Sequence, residues 1–475
     1  MATATEKPGY FTGWTVKREG IIAPDERLPW GQTIFVGLQH VLAMFGATVL
    51  GPLLMGFDPN TAIFFSGIGT LIFFLIVGGR VPSYLGSSFS FIVVVAIASA
   101  YMPKVFGAPN PNISVALGGI IAAGVAYAII GVIVIFAGYR WIEYLMPPVV
   151  TGAVVAVIGL NLAPIALQNA SRSEFDAAMA IVTVLAVAAV AVYIPGPLRR
   201  LPILIGGIIG YLVHLLAANV LHFGNPGVLS KGGNEIDFSG VASMPWLGLP
   251  HFIAPSFSFN AISLIAPVAI ILVAENLGHV KAVGAMTGRN LDKYLGRAFL
   301  GDGLATIVAG SGGGTGVTTY AENIGVMAVT RIYSTLVFVI AAAVAILLGF
   351  SPKFGALIAT IPPGVLGGLA IVLFGLIAAT GGRIWVQNRV DFSKSRNLVT
   401  AAVALTIGAG MIAVGPINFA LKIGGFSIGG IGVATFGAII LYQILREREP
   451  QPEEAVTADA AVGEPEQAPE PGAGA

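Results

Sequence analysis

The sequence has no cysteine among its 475 residues, which excludes disulfides, thiolate metal sites and a cysteine nucleophile. Charge is scarce too: 10% of residues are Asp, Glu, Lys or Arg, where a soluble domain carries ~25%. With 56% hydrophobic residues and a mean hydropathy of +0.88, a water-soluble fold could not hide so much apolar surface. An all-α polytopic membrane protein is what remains. The net charge of +1, with no basic cluster, gives no reason to expect a nucleic acid partner. Five dispersed histidines supply no metal cluster, so no catalytic residue, metal or cofactor is expected, and the chain is not read as an enzyme. No signal-peptide run precedes Trp30. Residues 1–30, polar and holding Pro8, Pro24 and Pro29, are expected to be a weakly structured cytoplasmic tail.

What is present is a succession of apolar segments. They run at 31–55, 60–78, 84–103, 114–137, 148–168, 177–194 and 202–221, then, after a glycine-rich connection at 222–258, at 259–280, 297–310, 316–329, 332–350, 355–379, 397–414 and 427–445. A crossing needs about 20 apolar residues, and most segments meet that. This predicts 14 transmembrane segments. Two are interrupted: the third opens on Pro82 and Gly86-Ser87-Ser88, and the tenth on the glycine run at 312–316. The Glu-, Pro- and Ala-rich stretch 446–475 is expected to be a disordered cytoplasmic tail.

An even number of crossings puts both ends on one side. All of the 24 Lys and Arg except Lys104, Arg172, Lys231, Lys353 and Lys422 then fall on that side, which predicts that it is the cytoplasm. Internal symmetry supports the count. Pro147-Pro148 opens the fifth segment as Pro362-Pro363 opens the twelfth, and His40-Val41-Leu42-Ala43 is echoed by His279-Val280-Lys281-Ala282. The third and tenth segments are the interrupted ones. Each pairing is seven segments apart, so the halves would have opposite orientation, a 7+7 inverted repeat of the kind found in secondary transporters.

The polar residues inside the spans are few. Glu275 and His279 are four apart and share a helix face; the alternative is an interfacial or capping pair, since Lys281 follows. Glu322 is a second carboxylate in the same half, just after the glycine run. Charge at membrane depth is costly and usually has a partner or a task. His40 sits in the first segment, where it is either functional or a packing residue. Asp302 is read as a helix-start residue, and His214, His222 and His251 as lying toward the extracellular side. At Ser88-Phe89 and Tyr320-Ala321 the chain would enter half-helices whose positive ends give fixed donors to a carbonyl-bearing ligand. With Glu275 and Glu322 as acceptors, the set suits a small, flat, amide-like heterocycle. An inorganic anion would not fit two acids and no intramembrane cation.

Three stretches carry a resemblance: 84–92 (Tyr84 to Ile92), 274–279 around Glu275, and the Glu-Asn-x-Gly-x(4)-Thr-Arg pattern at 322–331. They resemble the nucleobase–ascorbate transporter family (nucleobase:cation symporter 2), above all its bacterial uracil–proton symporters. The stretches 39–48 and 390–394 fit the same family, so the likeness spans about 31–445. It implies a core domain (31–146 and 259–353, spans 1–4 and 8–11) and a gate domain (147–222 and 354–445, spans 5–7 and 12–14), with 223–258 as an extracellular connection. It also implies a homodimer in the cell membrane. By position, Glu275 and Glu322 would bind the base. Backbone donors near Ser88, Phe89, Tyr320 and Ala321 would meet its carbonyls, and Glu275, His279 and His40 would serve proton coupling. Glu322, where xanthine and urate members usually carry Gln, points to a pyrimidine. Position 276 is Asn where relatives carry His, which weakens a proton-relay argument; 321 is Ala where some carry Gly. The expectation is uracil import by proton symport with alternating access. The alternatives are xanthine, urate or another nucleobase and, from another class, an anion channel or transporter.

Overall fold

The computed structural model describes residues 9–11, 13–101, 108–196, 199, 201–229, 232–411, 413–414, 417–418, 421–423 and 426–445. The expected C-terminal tail, 446–475, lies outside the described residues. Near the N-terminus a parallel pair, β1 (Thr15–Val16) and β2 (Glu26–Arg27), precedes α1 (Trp30–Met55) and α2 (Pro59–Ile76). Gly56, left-handed at φ 71°, closes α1. Asp58 then caps α2 by accepting from the Asn60 and Thr61 N–H groups. The first interrupted segment follows as β3 (Leu85–Ser87), a 3-10 turn (Phe89–Phe91) and α3 (Ile92–Ala98). Next come α4 (Ile113–Ala137), α5 (Arg140–Leu145), α6 (Pro148–Ala170), α7 (Glu174–Tyr193), α8 (Pro202–Leu215) and α9 (Ser239–Ser243).

The second half opens with α10 (Phe259–Ile265), α11 (Val268–Thr287) and α12 (Leu295–Gly312). The second interrupted segment is β4 (Val317–Thr319) and α13 (Ala321–Thr330). It leads to α14 (Thr335–Gly349), α15 (Pro352–Ala359), α16 (Pro363–Gln387), α17 (Ser395–Gly410) and α18 (Gly430–Ile444). Among the described residues, eight helices are long and apolar enough to cross a membrane, or nine if α14 and α15 count as one bent span.

The helices pack in two sets. In one, α1, α2, α4, α12 and α14 surround the interrupted segments; in the other, α6 packs on α16, α17 and α18, and α7 on α8 and α16. Both sets rely on glycine at the closest approaches. A Cβ on Gly152 would meet the Gly381 carbonyl at 2.8 Å, and one on Gly303 would meet the Gly124 carbonyl at 2.8 Å. Small residues at these points let backbones approach where no hydrophobic force drives helices together in lipid. The double prolines act alike in α6 and α16: Pro147 and Pro362 are extended N-caps, and Pro148 and Pro363 open the helices.

Three details differ from the sequence reading. Residues read as one segment at 355–379 belong to two helices, because Pro362 ends what precedes it; α15 lies at 83° to α14, and α16 begins only at Pro363. Asp302 does not start a helix but sits fully buried inside α12. The described residues 13–29 before Trp30 form a docked strap, not a loose tail. Ile22 is 1% exposed and forms a bridge with Ile332, Trp14 stacks on Phe74 at 6.0 Å, and Asp25 pairs with Arg289 at 2.5 Å.

Candidate functional site

Glycine and serine, poor helix residues, break the third and tenth segments, and the chain solves the resulting backbone problem by pairing the two breaks. β3 and β4 run antiparallel with Leu85 opposite Thr319, Gly86 opposite Thr318 and Ser87 opposite Val317. The Ser88 N–H continues the ladder to the Gly316 carbonyl at 2.9 Å, and the Tyr320 N–H reaches the Tyr84 carbonyl at 3.0 Å. Two threonines satisfy groups at the outer edges. Thr70 of α2 accepts from the Leu85 N–H at 2.9 Å, and Thr306 of α12 accepts from the Val317 N–H at 3.2 Å. Extended backbone can exist at membrane depth only with such partners.

This crossing aims the half-helices. Ser88 caps the 3-10 turn through its hydroxyl, which accepts from the Ser90 N–H, and its own N–H is committed to the ladder rather than to a ligand. Tyr320 is also engaged: its hydroxyl donates to the Ser87 carbonyl at 3.0 Å and accepts from Thr48 at 3.2 Å. The sequence reading offered the Tyr320 N–H to a ligand; it is bonded to the Tyr84 carbonyl instead. Phe89 is buried and meets Phe374 of α16 edge-on at 5.8 Å, one of the places where the two helix sets touch. Ala321 is exposed at the first turn of α13.

The polar side chains converge here. α11, which carries Glu275, touches the 3-10 turn, β4 and α13, the helix that carries Glu322. Glu275 Oε2 is buried with no protein partner among the described residues. His279, one turn on, places Nδ1 2.8 Å from the Thr319 hydroxyl. His40 is fully buried on α1, where the Asn323 amide donates to its carbonyl at 3.0 Å and lies 3.1 Å from its Nδ1. Sequence reasoning missed the layer behind Glu275: the Asn276 amide donates to Asp302 at 2.7 Å and to the Tyr127 hydroxyl at 2.9 Å, all three residues fully buried. The signal that could have found it was the rarity of a carboxylate within an apolar run. A separate cavity of about 210 Å³ between α1, α8, α15 and α16 is lined almost wholly by apolar side chains and shares none of this chemistry.

Paired broken helices, a carboxyl (Glu322) in the first turn of one of them, and helices able to cross a bilayer define a membrane permease. The sequence profile described as "Permease family" matches residues 31–417, and the chain belongs to this family, the nucleobase–ascorbate transporters. It is 59% identical over 442 residues to the "Putative pyrimidine permease RutG" of Escherichia coli (strain K12), covering 92% of this chain and 96% of that one. It is also 40% identical over 433 residues to the uracil permease of Bacillus caldolyticus, covering 88% of this chain and 93% of that one. Among solved structures, the transmembrane domain of a cyanobacterial bicarbonate transporter, BicA, aligns with a TM-score of 0.56 at 16% identity, covering 86% of this chain and 96% of that one. That likeness is one of fold.

Proposed function

We propose that this permease imports a nucleobase, uracil above all, by proton symport with alternating access. What supports the reading is the contact of α11, which bears Glu275, with β4 and with α13, which bears Glu322, at the β3–β4 crossing. Two acceptors suit the ring N–H groups of a pyrimidine, and the N–H groups at Phe89 and Ala321, which open the two half-helices, suit its carbonyls. An anion would meet two acids there, so the fold likeness to anion carriers does not extend to cargo. Glu322 is the principal ligand. Glu275 is the proton carrier, because a neutral substrate is concentrated only if a titrating group travels with it. His279 and His40 belong to the proton route.

The same reading includes 14 crossings in a 7+7 inverted repeat, with both termini cytoplasmic in the cell membrane. Two features support it: the shared Pro-Pro helix starts of α6 and α16, and the matched roles of Thr70 and Thr306, each bonding the strand that follows its helix. The helix set around the crossing is the core domain, the α6–α8 and α16–α18 set is the gate, and the molecule works as a homodimer. Purified protein in proteoliposomes with an imposed pH gradient tests the transport claim. Labelled uracil should accumulate, and unlabelled uracil should compete better than xanthine or urate. Glu322→Gln should abolish binding, whereas Glu275→Gln should keep binding and lose accumulation. Full uracil accumulation by Glu275→Gln would sink that division of roles, and preferential competition by xanthine would reassign the substrate.

A further inference from the structure

The strap before α1 ends on the helix that carries Glu322. The Ile22 N–H donates to the Arg331 carbonyl at 3.0 Å, and the Tyr333 N–H returns to the Ile22 carbonyl at 2.8 Å. Two residues on, the Pro24 carbonyl accepts from both the N–H and the hydroxyl of Thr335, each at 3.1 Å. Trp14 Nε1 donates to the same hydroxyl at 3.0 Å, and Asp25 pairs with Arg289 at the foot of α11. The strap therefore grips the far end of α13, the start of α14 and the loop after α11.

α13 needs such a grip. It has ten residues, too few to hold a helix by itself, and Ala321, Gly325, Ala328 and Val329 on one side are exposed. Its first turns are fixed by the β3–β4 crossing and by Asn323 on His40. Its C-cap, Arg331, is left-handed at φ 56°, a conformation that a side chain other than glycine keeps only when its surroundings impose it. That turn presents the Arg331 carbonyl to Ile22. With ~1.5 Å of rise per residue, the grip acts about 13 Å from Glu322 along a single rigid element.

We propose that residues 21–25 are a positioning element of the substrate site: they clamp the cytoplasmic end of α13 and so set the depth and orientation of Glu322. The proposal rests on the reading of α13 as the substrate half-helix. The test uses the full chain in nanodiscs, with hydrogen exchange read separately over 321–330 and over α12. Ile22→Pro removes the N–H that bonds Arg331. Asp25→Ala releases the strap without touching the backbone, and the exchanged pair Asp25→Arg with Arg289→Asp restores the ion pair. In Ile22→Pro, exchange over 321–330 should rise about tenfold, the size of losing one or two buried hydrogen bonds. A smaller rise is expected in Asp25→Ala, reversal in the exchanged pair and no change in α12. Uracil KM should rise with exchange while kcat changes less. Unchanged exchange over 321–330 in either folded variant, or equal acceleration in α12, overturns the proposal. If the wild-type protein takes up no uracil, the substrate assignment fails, and the exchange comparison still decides the clamp.

Discussion

Gly86 offers a test of the crossing that does not depend on the cargo. Its position in β3 lies under the Tyr320 ring, so a Cβ there would fall 2.4 Å from ring carbon Cζ and 2.6 Å from the hydroxyl oxygen. The ring cannot swing away cheaply, because its hydroxyl is held between Thr48 at 3.2 Å and the Ser87 carbonyl at 3.0 Å. Gly86→Ala must therefore break those two bonds or part β3 from β4. Losing two buried hydrogen bonds costs about 1–3 kcal/mol, and overpacking adds about 1–3 kcal/mol, so a loss of roughly 2–6 kcal/mol is expected. That is a large share of the ~5–15 kcal/mol by which a folded domain is stable. Gly325 is the control: inside α13, its Cβ would meet nothing within 4 Å, and Gly325→Ala should gain about 0.5–1 kcal/mol of helix stability. The assay is thermal unfolding of detergent-solubilised protein followed by size-exclusion fluorescence, with nucleobase uptake measured alongside. A Gly86→Ala protein that melts with the wild type and transports normally would refute the claim that Tyr320 is locked over the strand.

The layer behind Glu275 gives a second expectation: Asn276→Leu strips the buried Asp302 carboxyl and Tyr127 hydroxyl of a shared donor and should cost about 1–3 kcal/mol. Adding Asp302→Leu should recover part of that loss in a double-mutant cycle, and strictly additive losses in melting temperature would show that the pair is not coupled. Thr70→Val and Thr306→Val each remove the hydroxyl that serves a strand N–H, and each should destabilise by about 1–3 kcal/mol. A loss from only one of them would count against their equivalence.

Much of the architecture was legible because membrane burial leaves coarse marks: long apolar runs, Pro-Pro helix starts, and glycine where a helix must stop. The two interrupted segments were readable for the same reason, since Gly86-Ser87-Ser88 and the run before Val317 cannot continue a helix. Asp302 was not readable, because a carboxylate near the start of an apolar run looks like a helix opener until the helix is known to begin at Leu295. The engagement of Tyr320 and Ser88 was also hidden, for it depends on a partner strand more than 200 positions away. The strap escaped notice because its docking runs through backbone groups of Ile22 and Pro24, which bear no periodic pattern.

Ser87 and Thr315, whose hydroxyls meet at 2.6 Å, are 228 positions apart in the chain. At about 5–20 residues per second, a ribosome takes roughly 10 to 50 s to supply the second after the first. Throughout that interval the Ser88 N–H and the Tyr84 carbonyl have no ladder to join, in surroundings where water is scarce. The nascent first half must therefore wait in a wet or shielded place, such as the insertion machinery or the bilayer surface. Slowing synthesis between the halves should lengthen that exposure and lower the yield of folded protein.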